Sequence, residues 1–360
     1  MAEPTDNNAD EPQVNGTASP SKPIIAVTMG DPGGIGAEVV VKALADPQIR
    51  ESGRFIIYGL NELIGYAADS AEIAPYWWRQ PHEAVRKIES GVVVADFDEF
   101  GLPGPRNTQP TAQGGLASMR FLEEAVDSIK AGRAHALVTG PISKTSWHMA
   151  GYKRWPGHTE WLAEQFRTRR VTMMFDAGRL RVALASTHVG LFELRNRFTI
   201  GLVHQPIDLL DRALREWFGI ELPRLAVCAL NPHAGEGGRF GDEETRIIEP
   251  AITMARESGC RVEGPLPADT VYRDALAGRY DGVVAMYHDQ GLIPIKLLAF
   301  RRAVNVSLGL PIVRTSPDHG TAFEIVGSNA ADPGSMKAAI RLACRLARFQ
   351  MAATPAVSAP

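Results

Sequence analysis

The stretch DGVVAMYHDQGL, residues 281–292, opens as a buried strand and then sets Tyr287, His288, Asp289 and Gln290 side by side where that strand should surface. A short apolar, β-branched run bounded by polar residues reads as a fully buried strand. Such a strand has no use for four polar side chains at its end, because each buried polar group without a partner costs about 1–3 kcal/mol. A site at the strand's exit uses them all. Two more runs close in the same way: RVALASTH (181–188) ends on His188, and RLAVCALNPH (224–233) ends on His233. In an open α/β sheet, ligands bind in the crevice beyond the carboxyl ends of the strands. Three imidazoles delivered there suit one divalent metal. Read singly, each is an ordinary loop histidine, and the residues alone leave both readings open.

Outward from these three runs, IIAVTMG from Ile24, FIIYG from Phe55, GVVVAD from Gly91 and AHALVTG from Ala134 repeat the strand signature. Helical periodicity fills the gaps, as in Gly115–Ala131, Pro206–Phe218 and Glu243–Ser258. Alternation of this kind predicts an α/β protein with layers around largely parallel sheets. The 360 residues, 45% hydrophobic and 22% charged, suit roughly two domains of about 100–200 residues each. A net charge of -3 gives no basic footprint, so a small molecule is expected in place of nucleic acid or a membrane surface.

Cys228, Cys260 and Cys344 are far apart and form no C-x-x-C pair. They predict neither a disulfide framework nor a zinc ribbon, and a reducing cytoplasm. Residues 1–22 lack an apolar signal core and read as a disordered, weakly acidic tail. No run approaches the ~18 apolar residues of a membrane span.

Four other stretches carry candidate chemistry. MGDPGGIGAE (29–38) is a glycine-rich turn entering a helix; its amides are able to receive an anion, or the turn simply packs strand to helix. PGHTEWLAEQF (156–166) enters an amphipathic helix, with Thr159 as a possible N-cap and His158 at the mouth. NPHAGEGGRFGDEE (231–244) joins His233 to four glycines that permit close backbone approach. Lys296, Asn305 and Arg314 recur every nine residues, a spacing natural for successive loop or strand ends. Together they make a phosphate grip, a point charge beside a bidentate fork; apart, they are surface charge. His82, His135, His148, His204 and His319 occupy less regular contexts and mostly keep a structural reading.

The motifs GDPGGIGAE, TGPISK, PGHTE, ALASTH, LNPHAGEGG, GPLPADT, AMYHDQGL and LGLPIVRTSPDHGTAFEI occur in that order over about residues 23–350. In them the sequence resembles the 4-hydroxythreonine-4-phosphate dehydrogenases of pyridoxal phosphate synthesis and their phosphothreonate-oxidising relatives. The resemblance implies an isocitrate-dehydrogenase-like fold of two α/β/α domains with an intervening cleft. Residues 23–150 plus 325–350 would form the first domain, and 151–324 the second, with the dimer interface. It implies a homodimer with shared active sites, NAD or NADP as cofactor, and one divalent metal, zinc, magnesium or cobalt.

Carried onto this chain, the resemblance makes His188, His233 and His288 the metal ligands, with His288 donated across the interface. It makes His158, Thr159, Lys296, Asn305 and Arg314 substrate-binding residues, and sets Asp269 and Lys296 at the catalytic centre. A divalent ion in a neutral tris-histidine shell keeps its full charge and favours ionisation of a hydroxyl. The implied reaction oxidises 4-phosphooxy-L-threonine to a β-keto acid, 2-amino-3-oxo-4-phosphooxybutanoate, which decarboxylates to 3-amino-2-oxopropyl phosphate. The alternatives are oxidation of 4-phospho-D-threonate or 4-phospho-D-erythronate, metal-dependent hydrolysis, and a non-catalytic structural metal site. The last is disfavoured because structural sites take four protein ligands.

Overall fold

The computed structural model describes residues 22–86, 88–101 and 109–353, so the expected acidic tail lies, apart from Lys22, outside the described residues. The strands are β1 (Ile24–Thr28), β2 (Arg54–Gly59), β3 (Trp78–Pro81), β4 (Val92–Asp96), β5 (Ala136–Thr139) and β6 (Thr172–Asp176). They continue with β7 (Arg181–Leu184), β8 (Arg224–Cys228), β9 (Arg261–Leu266), β10 (Gly282–Ala285), β11 (Val304–Leu308) and β12 (Val313–Pro317). All join one sheet in the order β3-β4-β2-β1-β5-β12-β11-β6-β7-β10-β8-β9. From β3 to β12 the pairs are parallel, and β7, β10, β8 and β9 form a second parallel block.

Between the blocks the contacts β12–β11, β11–β6 and β6–β7 are antiparallel. Three reversals make the two blocks run in opposite directions. The expected parallel sheet is therefore found in the flanks and not at the centre. The centre reverses because its connections are short: residues 177–180 join β6 to β7, and 309–312 join β11 to β12. Parallel strands would need long crossovers.

Helices cover both faces. On β10, Val284 belongs to the main hydrophobic cluster, whereas Val283 and Ala285 pack into a second one with Val182, Leu184 and Cys228. Alternate side chains of a strand point to opposite faces, so both faces here are dry. Runs such as Ile24–Thr28 and Val92–Asp96 are buried throughout, which explains why they read as continuous apolar stretches. Burial pushes the unpaired thiols of Cys228 up to about 12, and of Cys260 and Cys344 up to about 11. Among the described residues no helix is long and apolar enough to cross a membrane.

Helix boundaries move with their caps. The helix expected from Gly115 starts at Ala112, where the Thr111 hydroxyl accepts from Gly114 N at 2.9 Å. The one expected from Pro206 starts at Ile200, capped by Thr199, and carries Pro206 inside it. The third opens as a π-helical turn, Glu244–Ile248, before Glu249–Glu257. Thr159 is the second residue of the His158–Gln165 helix and not its cap, a place taken by Gly157.

Candidate active site

Where β5 and β12 meet the reversed strand β11 and its neighbour β6, the sheet opens into a cavity of about 450 Å³. Strand alternation puts Asn305 and Ser307 of β11 on one face, and Arg314 of β12 reaches the same space. Arg314 is buried; its Nη1 donates to Ser307 Oγ at 3.1 Å and its Nη2 to Thr139 Oγ1 at 2.6 Å. Both partners are neutral, and burial pulls the guanidinium down to about 10, partly opposed by Glu160. It stays cationic at neutral pH. Among the described residues Arg314 has no carboxylate in ion-pair contact, and a buried charge without one is unfavourable, so this cavity suits an anion.

Besides Asp318 Oδ2, which is ion-paired to Lys296, four buried side-chain atoms of residues lining it have no hydrogen-bond partner among the described residues: His158 Nε2, Asn305 Oδ1, Arg314 Nε and His319 Nε2. Buried polar atoms are normally satisfied, so a cluster of unsatisfied ones marks the place a ligand completes. His158 stands edge-on to Trp147, 5.6 Å between centroids. Burial, then the charges of Arg314 and Lys144, hold its pKa well below 6.5. It is a neutral imidazole, able to donate without adding charge.

The three-residue grip is only partly assembled as the spacing implied. Asn305 and Arg314 are each the second residue of a strand, but Lys296 lies within the His288–Ala299 helix. Its ammonium donates to the Asp318 carbonyl at 3.1 Å and pairs with the Asp318 carboxylate, reaching the rim through Asp318. Asp269 is exposed in the first turn of the Ala268–Leu276 helix and does not line the cavity. Thr159 does line it. Sequence reasoning left Lys144, Glu160 and Ser307 unassigned and gave His319 no site role. Of these, Lys144 carried a signal, five residues beyond β5.

The strands that deliver the histidines, β7, β10 and β8, are neighbours in the sheet. Each stops short of its histidine, at Leu184, Ala285 and Cys228. The exits are bound together by Gln290, whose Oε1 accepts from Met286 N at 2.6 Å while its Nε2 donates to Ala229 O at 2.8 Å. Ser186 Oγ donates to Met286 O at 2.8 Å. His288, expected to cross to a partner, lies 6.0 Å from His188 of its own chain, ring centroid to ring centroid. Its Nδ1 is 2.7 Å from Asp289 Oδ1. That contact orients the ring and leaves Nε2 for an ion, the usual arrangement around metal-binding histidines.

Burial, Lys144 and His288 lower the pKa of His188 and so favour its neutral, ligating form. His233 stands apart, against Phe240 in a turn where His233 and Ala234 have φ of 52° and 55°. Glu244 pins that turn, accepting from Leu230 N and Asn231 N at 2.8 and 2.7 Å. Among the described residues no three His, Cys, Asp or Glu side chains gather closely enough to hold a metal ion. The donor chemistry fits a divalent ion, with two imidazoles converging in one chain.

The glycine-rich turn resolves toward packing. Gly30 has φ +85°, and a Cβ there would run into the Pro141 carbonyl. The amides of Asp31, Gly33, Gly34 and Ile35 already donate, to Pro141 O, Asp31 Oδ1, Asp31 O and Thr321 O, so they are not free for an anion. Beside this turn runs a narrow, mainly apolar groove bordered by Ile35, Leu63, Tyr66 and Val326.

Three comparisons bear on this geometry. The family model described as pyridoxal phosphate biosynthetic protein PdxA matches residues 51–343. A 4-hydroxythreonine-4-phosphate dehydrogenase of Geobacter metallireducens is 44% identical over 92% of this chain and 97% of that protein. A D-threonate 4-phosphate dehydrogenase of Pectobacterium atrosepticum is 40% identical over 90% of this chain and 99% of that protein. The crystal structure of 4-hydroxythreonine-4-phosphate dehydrogenase from Klebsiella pneumoniae superposes with a TM-score of 0.81 at 38% identity, covering 90% of this chain and 99% of that one.

Proposed function

From the premise that this chain belongs to the PdxA family of pyridoxal phosphate biosynthetic proteins, we propose that it oxidises the C3 hydroxyl of 4-phosphooxy-L-threonine. The enzyme is an oxidoreductase. The observation that carries the substrate reading is the buried Arg314, cationic and with no ion-pair partner among the described residues, beside unsatisfied groups of His158, Asn305 and His319. A phosphate there receives a bidentate fork, a neutral imidazole donor and the Thr159 hydroxyl. Glu160, a cavity carboxylate with no ion-pair partner among the described residues, supplies the acceptor that an ammonium at C2 requires and a hydroxyl does not. This favours the amino substrate over 4-phospho-D-threonate or its erythronate epimer.

NAD(P) would accept the hydride, and the apolar groove beside the glycine-rich turn fits one flat ring of it. A divalent ion held by His188, His233 and His288 would stabilise negative charge developing on the substrate oxygen. The chain's own part is to bind and orient. His188 and His288 present ring nitrogens, Asp289 fixes the second ring, and Lys296 with Asp318 closes the rim over the phosphate end. Once C3 is a ketone, the carboxylate is β to it and leaves as carbon dioxide without further apparatus, giving 3-amino-2-oxopropyl phosphate.

The site is completed by a second copy. Phe192 is 95% exposed, Leu297 84% and Phe300 71%, exposed apolar side chains on the segments that follow His188 and His288 and that a homodimer would cover. Since His188 and His288 already meet, the partner contributes His233. The two lobes, 23–150 with 325–350 and 151–324, then flank the cleft in an isocitrate-dehydrogenase-like arrangement. Three buried, unpaired thiols fit a reducing cytoplasm.

The test is kcat/KM for 4-phosphooxy-L-threonine, 4-phospho-D-threonate and 4-phospho-D-erythronate, read by nicotinamide absorbance with a divalent metal present. The amino substrate should lead. A tenfold preference for either sugar acid, about 1.4 kcal/mol in transition-state terms, overturns the substrate assignment; phosphate release without nicotinamide reduction makes the enzyme a hydrolase.

A further inference from the structure

On the opposite face of the sheet's centre lies a second cavity, of about 530 Å³. Val304 lines it while its neighbour Asn305 lines the first, as strand alternation requires. Its rim carries four arginines brought from three elements: Arg179 in the β6–β7 turn, Arg302 after the His288–Ala299 helix, and Arg341 and Arg345 on the Gly334–Ala353 helix. Its carboxylate, Asp176, is already taken, accepting from Arg181 Nε at 3.1 Å and from Gly178 N at 2.9 Å.

Arg341 pairs with Asp46 at 2.9 Å. Among the described residues Arg179, Arg302 and Arg345 have no carboxylate partner; Arg179 donates to the Leu276 carbonyl, and Arg345 lies over the Phe218 ring. Three arginines without a carboxylate partner around one cavity repel one another, and an anion bound among them relieves that repulsion. The floor is apolar, formed by Leu276, Ala299, Val304 and Leu342. An inorganic ion would leave that floor wet.

We propose that this basin is a second ligand site, for a phosphomonoester carrying a flat apolar body. The guanidinium forks take the dianion in bidentate fashion, and the body lies on the Val304–Leu342 floor, within the usual size of small-molecule pockets. The site shares strands β6 and β11 with the catalytic cavity, but no lining residue.

Phenyl phosphate is the probe, measured by calorimetry on the intact protein with the catalytic cavity saturated by 4-phosphooxy-L-threonine and no nicotinamide present. One equivalent should still bind per chain, at least tenfold more tightly than inorganic phosphate or benzoate. Arg302→Glu combined with Arg345→Glu should weaken it at least tenfold while kcat/KM for the dehydrogenase stays within twofold. Absence of binding to the saturated protein, or equal binding by wild type and variant, overturns the proposal. A variant that loses both binding and its thermal transition is replaced by Arg302→Gln alone, where an unchanged affinity is again fatal.

Discussion

At the centre of the sheet, Arg314, Asn305 and His158 reach one cavity from three elements of a single chain. At the exits of β7, β10 and β8, only His188 and His288 come together, and His233 stays beside Phe240. The first region is held by strand pairing on both sides of β11 and β12, so its polar atoms are fixed and buried before any ligand arrives. The second depends on loops beyond the strand ends, and its His288 side chain is 43% exposed. One chain therefore pre-organises the anion grip, while the three histidines proposed as metal ligands are only partly gathered within it.

The largest effect should come from the incomplete half. His188→Ala removes one of the two converging imidazoles and should lower kcat by about a thousandfold or more, on the order of 4 kcal/mol, with loss of stoichiometric metal by elemental analysis. Retained metal would assign the ion elsewhere. In the pre-organised half, Arg314→Lys replaces a fork by a point charge and should raise KM roughly 10–100-fold, with a smaller change in kcat. Equal KM for phosphorylated and dephosphorylated substrate in the wild type would remove the grip altogether.

A third effect is pH-dependent. His158 has its folded pKa well below the usual 6.5, so below about pH 6.5 the unfolded chain binds a proton that the folded chain refuses. Stability then falls as pH drops from 6.5 toward the folded value, by at most about 1.4 kcal/mol per pH unit from this residue. Denaturant midpoints of His158→Asn should depend less steeply on pH between 6.5 and 5 than those of the wild type. Parallel curves would mean that His158 is solvated. The smallest effect belongs to Thr159→Ala. Because Gly157 holds the cap position, the substitution should cost less than the ~1 kcal/mol of a true N-cap and act on KM alone.

The same contrast decides what could be read from the residues. Strands β1, β2, β4, β5, β7, β8 and β10 were legible because burial on both faces leaves an uninterrupted apolar run. TMMFD of β6, VNVSL of β11 and VRTSP of β12 were not. β11 and β12 place Asn305, Ser307, Arg314 and Ser316 in the sheet, and polar residues that build a site erase the pattern that announces a strand. The reversal of direction at the centre has no local signal, since it follows from which strands pair. The three histidine exits were legible from their shared context, and the family motifs supplied roles for them. Their spacing in space was not, because β7, β10 and β8 become neighbours only through the crossovers. Lys296 was misplaced for a related reason: a nine-residue interval looks like a loop repeat, yet the residue lies on the helix that follows His288.

Subunit mixing tests most directly whether a second chain completes the site. In a heterodimer of His188→Ala and His233→Ala chains, each inactive alone, one site would lack both ligands and the other would be whole, because His188 and His288 come from one chain and His233 from its partner. Turnover of the mixture should rise to near a quarter of wild type once exchange at equal amounts is complete, whereas mixing His188→Ala with His288→Ala should restore nothing. Recovery in the second mixture and not the first would contradict the account and return His288 to the partner's side of the interface.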